Sequence, residues 1–284
     1  MDFVKHNTPL APDSLLDKNL AMKVSGMTKE EIVAYTLAYF PEDSDSRQKY
    51  LSGHINRFLE TLNLLGRGNP DQKLLEIGSY DVFTLMLHKF TSYNISPCVY
   101  DRALSGQPLK FVNKKDQHTV EYQLAGFNAE KDAYPFEDGM FDVVLFCEVL
   151  EHLTQDPLFA LSEINRVLKP GGKILLTTPN IVRLAAVDKV LKGYSPYFYN
   201  TYSRFGTDRH NREYAPNEVK SLLEKGGFKI SHLGTKFVWD PVDPDVFELL
   251  HQLKMPLDLR GDNIYAIGIK DGPVRERYPQ QFYD

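Results

Sequence analysis

The sequence of 284 residues is 42% hydrophobic and 25% charged, which is the balance of a globular protein with enough apolar material for one sizeable core. Its net charge of -5 argues against sequence-independent nucleic-acid binding, which requires clustered Lys and Arg. No apolar run reaches the length of a membrane span, and MDFVKHNTPLAPD lacks the basic start and apolar stretch of a signal peptide, so a cytoplasmic protein is predicted.

The N-terminal part of the chain predicts helices. Thr28 and Glu31 have the spacing of a capping box, and apolar residues follow until Pro41 interrupts the pattern. A second helix is predicted over Ser46–Leu65, and the turn-rich stretch GRGNPDQ follows it. We therefore predict a helical cap over residues 1–70.

From there onward, short apolar runs alternate with helical patterns. The runs are continuous in Val, Ile, Leu and Phe, which suits strands buried on both faces by helices. In chain order they are KLLEI, NISPCVY, TVEYQL, FDVVLF, KILLTT, KISHLGTKFV and NIYAIGIK. The sequence therefore predicts an α/β domain over residues 71–284, built on a doubly wound, seven-stranded sheet.

Two helices of this domain are delimited by the residues at their ends. One begins at Asp156 and Pro157, which can cap and start a helix, and it ends before KPGG. The other begins near Pro216 and ends at Gly226. Between them, the tyrosine-rich residues 181–213 are too long for an ordinary connection and predict a lid insertion.

Two features lie at strand ends, where doubly wound sheets bind ligands. Gly78 follows the first strand, at a point where glycine lets a ligand approach the backbone. Tyr80 and Val82 replace the small residues of a full glycine-rich pattern, so this turn alone is a weak signal. Asp101 follows the second strand, near the ~20-residue separation at which an acid reaches ribose hydroxyls in dinucleotide folds. A solvated turn aspartate is the alternative.

Two longer stretches, FNAEKDAYPFEDGMFDVVLFCEVLEHL and EINRVLKPGGKILLTTPN, complete a set of motifs. The set comprises an acid and a glycine after strand one, an acid after strand two, a polar pair before an aromatic-Pro-Phe segment, an EHL-like segment and a Leu-x-Pro-Gly-Gly turn. Together they resemble the class I S-adenosylmethionine (SAM)-dependent methyltransferases of the small-molecule branch, over roughly residues 73–269. The resemblance implies a Rossmann-like fold, SAM as the cofactor and methyl transfer as the activity.

The resemblance also implies a set of cofactor ligands: Glu76, Gly78, Ser79, Asp101, Asn128, Ala129 and Glu148. The first three would line the methionine end of SAM, and the fourth would hold the ribose hydroxyls. Asn128 would offer an amide oxygen to the adenine amino group, where the family often has Asp, and Ala129 would offer its backbone N–H to the ring. Glu148 would lie near the sulfonium and the acceptor.

A hydroxyl acceptor would benefit from a general base, which contributes roughly 100-fold or more to the rate. His152, just past the fourth strand, is the first candidate, and Glu148 lies close to it in the sequence. A cap or a structural hydrogen bond at the start of the next helix is the alternative role for His152. His210, in GTDRHNREY, is the second candidate for the base.

The run that contains His210 predicts either an acceptor site or a solvated hinge with internal ion pairs. Arg209 and Arg212 could clamp a phosphate or carboxylate, and Asp208 and Tyr199 complete the predicted acceptor ligands. The aromatic residues of the insertion could instead pack the lid onto its own domain. The overall layout resembles bacterial methyltransferases of glycan or polysaccharide biosynthesis, which implies a sugar or other small-molecule acceptor.

These features predict a SAM-dependent O-methyltransferase. The alternatives are an N-methyltransferase, a SAM-fold scaffold without turnover, and a nicotinamide-dependent oxidoreductase. The poor glycine pattern argues against the oxidoreductase. No Cys/His spacing suggests a zinc site and no carboxylate cluster stands out, so no metal is predicted. A homo-oligomer is compatible with the sequence.

Overall fold

The computed structural model describes residues 15–42, 44–197, 210–239 and 244–283. Within these ranges the chain forms a seven-stranded sheet flanked by helices, with a separate two-stranded sheet beside it. None of the helices in the same ranges combines the length and the apolar character that crossing a bilayer requires.

Three helices precede the first strand: α1 Leu20–Ser25, α2 Lys29–Leu37 and α3 Asp45–Leu65. The predicted capping box is confirmed, because the Thr28 hydroxyl accepts from the Glu31 N–H and the Glu31 carboxylate accepts from the Thr28 N–H. The predicted second helix is confirmed as α3, which begins one residue before Ser46.

The strands, in chain order, are β1 Lys73–Ile77, β2 Asn94–Val99, β3 Pro108–Val112, β4 Thr119–Gln123, β5 Ala125–Gly126, β6 Phe141–Cys147, β7 Leu168–Pro179, β8 Phe228–Lys236 and β9 Asn263–Lys270. The central sheet has the order β5-β2-β1-β6-β7-β9-β8. Adjacent strands of this sheet are parallel, except that β9 is antiparallel to both β7 and β8. The predicted seven-stranded α/β fold is confirmed.

The helices after β1 are α4 Asp81–Phe90, α5 Pro157–Val167, α6 Leu184–Leu191, α7 Pro216–Lys225 and α8 Pro244–Gln252. The start of α5 is as predicted: the Asp156 carboxylate accepts from the Phe159 N–H at 2.9 Å, and Pro157 is the first helical residue. Since α6 lies within residues 181–213, part of the predicted lid is helical.

Alternate residues of the central strands enter two different cores. Leu74 of β1 and Leu145 of β6 belong to the core that includes the buried side chains of α3 and α4. The adjacent Leu75 and Val144 belong to the core that includes α5 and α7. Because each buried leucine or valine contributes about 1.5–3 kcal/mol, both layers of helices are needed to hold the sheet.

One predicted strand lies elsewhere than expected. The run TVEYQL was predicted for the central sheet, but β4 pairs antiparallel with β3 in a separate hairpin. Its side chains alternate between buried and exposed, which is typical of a strand with one solvated face. The central sheet instead contains the two-residue strand β5, which pairs in parallel with β2.

Candidate active site

A cavity of about 1210 Å³ lies where the carboxyl ends of β1, β2 and β6 meet. The order of the strands reverses at this point, which is where open α/β sheets bind ligands. Its volume exceeds the range of about 300–1,000 Å³ that is usual for a single small ligand. The cavity therefore has room for a cofactor and a second molecule.

The turn after β1 requires the predicted glycine for two reasons. Gly78 has a φ of 77°, in the left-handed region that favours glycine. A Cβ at this position would also lie 2.5 Å from Cγ2 of Val149, in the loop after β6. The next N–H, of Ser79, donates to the carbonyl of Cys98 at 2.8 Å and joins the turn to β2.

The two residues that depart from the glycine-rich pattern contact other helices. The ring of Tyr80 lies 4.5 Å from the ring of Tyr50 in α3. Val82 is fully buried in the core that α3 and α4 share. Both side chains therefore dock the N-terminal helices against the turn, and Tyr80 lines the cavity together with Gly78 and Ser79.

Glu76 lies buried near the end of β1, beside a small cavity of about 80 Å³ that Gly78 and Glu148 also line. The Thr84 hydroxyl donates to its Oε2 at 2.8 Å, and Ser79 donates to Thr84 at 2.7 Å. Burial raises the pKa of Glu76 to about 8, although the hydrogen bonds from Thr84 and Ser79 lower it. The carboxyl is therefore mostly protonated at neutral pH in the cofactor-free protein.

This pKa makes stability depend on pH. Between the ordinary value of 4.5 and about 8, the folded protein holds a proton on Glu76 that the unfolded chain releases. The free energy of unfolding of the cofactor-free protein should therefore fall as the pH rises through this window and level off above it. The total loss should reach a few kcal/mol, since each pKa unit corresponds to about 1.4 kcal/mol.

Urea unfolding of the wild type and of Glu76→Gln at several pH values tests this expectation. The glutamine variant keeps a hydrogen-bond acceptor for Thr84 and cannot titrate, so its stability should change less with pH. Parallel curves for the two proteins would show that Glu76 does not titrate as described.

Asp101 lies two residues beyond β2, as predicted from the strand pattern. Its exposed carboxylate accepts from the Ala103 N–H at 2.8 Å and caps the short 3₁₀ turn Arg102–Leu104. The preceding Tyr100 lines the cavity, whereas Asp101 does not. Its role in binding ribose stays a prediction.

Asn128 and Ala129 both line the cavity in the loop after β5. The Asn128 Oδ1 accepts from the Glu130 N–H at 3.0 Å, and the Asn128 N–H donates to Asp132 at 2.7 Å. The Ala129 carbonyl accepts from the buried Tyr134 hydroxyl at 3.1 Å. Tyr134 of the Tyr-Pro-Phe segment thus anchors this loop, and contact of the loop with adenine stays a prediction.

Glu148, directly after β6, adopts a φ of 54°, which is unusual for a residue other than glycine. Its carboxylate accepts from the Thr177 hydroxyl at 2.8 Å and from the Asn263 amide at 3.1 Å. Its other oxygen lies 2.6 Å from Nη1 of Arg57, a buried residue of α3. Burial alone would lower the pKa of Arg57, but the charge of Glu148 outweighs this effect and raises it.

His152 and His210 come together at the cavity. Their rings contact edge to face, with the centroids 5.1 Å apart, and both residues line the cavity. The Nδ1 of His210 lies 3.1 Å from Glu213, whose second oxygen pairs with Arg183 at 2.6 Å. Burial alone would raise the pKa of Glu213, but the contacts with His210 and Arg183 lower it. The carboxylate beside His210 therefore stays charged.

The predicted acceptor ligands fall into two groups. Tyr199, Asp208 and Arg209 lie outside the described residues. Arg212 is described, but it does not line the cavity, because its guanidinium pairs with Glu218 at 2.7 Å. Contact of these four residues with an acceptor stays a prediction.

The N-terminal helices contribute a wall of the cavity that the sequence does not reveal. Tyr50, His54 and Arg57 of α3 line it, together with Trp239 after β8. The Trp239 indole donates to Nδ1 of His54 at 3.1 Å. Burial, with the nearby charge of Arg57, lowers the pKa of His54 to about 4, so this imidazole is neutral at physiological pH. In the sequence, the signal for this wall is that Tyr50, His54 and Arg57 are spaced four and three residues apart, which places them on one face of α3.

Residues 78–176 match the family model described as a methyltransferase domain. The matched segment begins at the turn after β1 and extends into β7. It contains every predicted cofactor ligand except Glu76.

Several relatives are named as methyltransferases. A probable SAM-dependent methyltransferase of Mycolicibacterium smegmatis is 35% identical over 96 residues, which cover 34% of this chain and 32% of the relative. A ubiquinone/menaquinone biosynthesis C-methyltransferase of a Shewanella species is 31% identical over 154 residues, which cover 52% of this chain and 59% of the relative. The chain thus spans less than two thirds of the length of either relative.

A solved structure shows the same fold. It is the crystal structure of a SAM-dependent methyltransferase, a possible histamine N-methyltransferase, from Thermotoga maritima. The TM-score is 0.51 at 18% sequence identity, over 83% of this chain and 99% of that chain.

The sheet has the Rossmann-like topology of class I SAM-dependent methyltransferases, and residues 78–176 and the relatives are similar to proteins of that family. The cofactor that this family and fold imply is SAM. The broad resemblance drawn from the motifs is thereby confirmed, and the narrower resemblance to enzymes of glycan biosynthesis stays a prediction.

The side chains at this edge of the sheet suit SAM. The methionine end of SAM is cationic, and the buried carboxyl of Glu76 has a raised pKa that a nearby positive charge would lower again. Ser79 and Asn128 add hydroxyl and amide groups along the larger cavity, which shares Gly78 with the small cavity beside Glu76. These residues can hold a cation at one end and a polar nucleoside at the other.

Proposed function

We propose that the protein transfers a methyl group from SAM to a hydroxyl oxygen of a small, ring-bearing molecule such as a sugar or a phenol. One observation carries the proposal. The same cavity is lined by the predicted cofactor residues, such as Gly78 and Asn128, and by the imidazoles of His152 and His210. A methyl donor and a proton acceptor can therefore reach one substrate.

SAM held by the predicted cofactor residues would supply an activated sulfonium methyl group for transfer to the acceptor oxygen, with S-adenosylhomocysteine as the second product. The protein orients the acceptor and excludes water, which can contribute up to about 7–11 kcal/mol. The hydroxyl proton passes to an imidazole nitrogen of His152 or His210. The charged Glu213 carboxylate lies 3.1 Å from Nδ1 of His210 and fixes the orientation of its ring.

The lining of the cavity favours a ring-bearing acceptor. Aromatic side chains project into it from several elements: Tyr50, Tyr100, Phe127, Tyr197 and Trp239. Such rings bury large flat surfaces of a ligand, and the polar tips of Tyr and Trp can form hydrogen bonds. We therefore propose that α3, within the predicted cap of residues 1–70, forms part of the acceptor site.

Two measurements test the function. Calorimetric titration with SAM and with S-adenosylhomocysteine measures cofactor binding, and mass spectrometry then detects methylated products from a panel of sugars, phenols, amines and quinone precursors. Methylation of hydroxyl compounds supports the proposal. Methylation confined to amines or to carbon would show that nitrogen or carbon, and not oxygen, is the acceptor atom. Binding without turnover would favour the scaffold alternative, and no binding would contradict the cofactor assignment.

The ribose role of Asp101 is tested in the same assay. We expect Asp101→Ala to weaken SAM binding about 10- to 100-fold, because charge-assisted hydrogen bonds contribute about 1.5–3 kcal/mol. Asp101→Asn keeps an oxygen for the Ala103 N–H and should still bind SAM more weakly than the wild type. The control is Asp71→Ala, an exposed acid before β1 at the opposite edge of the sheet. Unchanged affinity in both Asp101 variants would reject the assignment.

A further inference from the structure

We propose that the protein binds a divalent transition-metal ion of the zinc class through Glu151, His152 and His210. One potential ligand atom from each of the three residues lies within 4.8 Å of the other two. All three side chains line the cavity. The site can bind the ion without SAM or an acceptor, and a bound ion would replace the proton-accepting role of these imidazoles, because a nitrogen that binds a metal cannot also accept a proton.

Glu151 provides a buried carboxylate oxygen that could bind a cation. Its side chain is 1% exposed, and its Oε2 accepts from the Thr178 hydroxyl at 2.9 Å. Its Oε1 is buried and has no hydrogen-bond partner among the described residues. Leaving such an atom unsatisfied costs about 1–3 kcal/mol. The same oxygen lies 3.9 Å from Nε2 of His152, so an ion between them would satisfy it.

His210 has the orientation of a metal ligand. Its Nδ1 contacts Glu213 at 3.1 Å, which leaves Nε2 as the nitrogen that can bind an ion. Histidine ligands usually donate the other ring N–H to a carboxylate, which fixes the tautomer and the ring orientation. Glu213 is itself held by Arg183.

Backbone contacts hold the two segments together. The Asn211 N–H donates to the Glu151 carbonyl at 2.7 Å, and the Asn211 side chain donates to the His152 carbonyl at 2.7 Å. Atoms bound to one tetrahedral zinc ion at about 2.0–2.2 Å lie about 3.3–3.6 Å from each other. Side-chain rotations that move the ligand atoms by about 1 Å would therefore complete the site.

The ligand types indicate the kind of ion. Two imidazoles favour zinc, cobalt, nickel and iron over magnesium and calcium, which prefer oxygen ligands. Two histidines and one glutamate are also a ligand set of catalytic zinc sites, which keep a fourth position open. If the proposed methyl transfer holds, an acceptor hydroxyl could occupy that position. Its pKa would fall, as zinc lowers that of bound water from about 15.7 to about 7.

Cobalt provides a direct test, because its visible d–d absorption reports the ligand geometry. The full-length protein is treated with a chelator, dialysed and titrated with cobalt chloride, and zinc chloride is then added as a competitor. We expect one cobalt ion per chain, with bands that zinc abolishes. His152→Ala and His210→Ala should each weaken cobalt binding more than about 100-fold, beyond the 10–100-fold expected for Glu213→Gln, which removes only a supporting contact.

His251→Ala is the matched control, because it removes an exposed imidazole of α8 that does not line the cavity. It should leave the titration unchanged. Absence of cobalt bands in the wild type, or bands that persist in both His152→Ala and His210→Ala, would overturn the metal site. The titration needs neither SAM nor an acceptor, so its failure would overturn the metal site and leave the proposed function intact.

Discussion

Replacing Arg57 with alanine is expected to lower the free energy of unfolding by about 3–5 kcal/mol, the loss typical of breaking a buried ion pair. The guanidinium and the Glu148 carboxylate are 2.6 Å apart, with side chains only 6% and 16% exposed. Removing Arg57 would leave the negative charge of Glu148 buried beside Thr177 and Asn263, whose neutral hydrogen bonds cannot replace a cation.

Urea unfolding of Arg57→Ala and Arg47→Ala provides a matched comparison within α3. Arg47 also pairs with an acid, Asp81, at 2.7 Å, but its side chain is 37% exposed. Solvent screening should hold its contribution to about 0–1 kcal/mol. Similar losses in the two variants would mean that the pair with Glu148 has no special importance for stability.

Replacing His152 or His210 with alanine is expected to lower turnover at least about 100-fold, the usual contribution of a positioned proton acceptor. Both side chains line the cavity with their rings in contact, so either loss disrupts the same centre. The affinity for S-adenosylhomocysteine should stay near that of the wild type, because the resemblance places the cofactor ligands on other residues.

Initial rates and calorimetric affinities are needed for both variants, with His251→Ala as the control. A rate that falls together with the cofactor affinity would indicate a collapsed site and not a lost catalytic group. Unchanged turnover in both histidine variants would mean that His152 and His210 only shape the cavity.

The central sheet could be predicted because its strands are encoded locally. FDVVLF, for example, places four apolar residues side by side from Val143 to Phe146, and only a strand covered on both faces buries all four. The hairpin was missed because TVEYQL looks similar, although only its alternate residues, such as Val120 and Tyr122, are buried. The two-residue β5 is too short to leave any pattern in the sequence.

The site was predictable in part for the same reason. Gly78, Asn128 and Ala129 lie in loops directly after strands, so locating the strands places these residues at one edge of the sheet. Arg57 and Glu213 depend on contacts between segments far apart in the chain. Arg57 directly precedes the buried Phe58 and Leu59 in α3, and a local pattern does not show that its partner is Glu148.

The cavity wall formed by α3 is a place where substitutions could change the range of substrates. The segment that matches the methyltransferase family begins at residue 78, whereas Tyr50 and His54 precede it. Substitutions at these two positions could change the shape of the cavity, and therefore which acceptors fit the proposed site. They would not alter the strands that position the predicted cofactor residues. Arg57 is the exception on this helix, because it pairs with Glu148. A library for engineering new acceptor preference would therefore vary Tyr50 and His54 and keep Arg57 fixed.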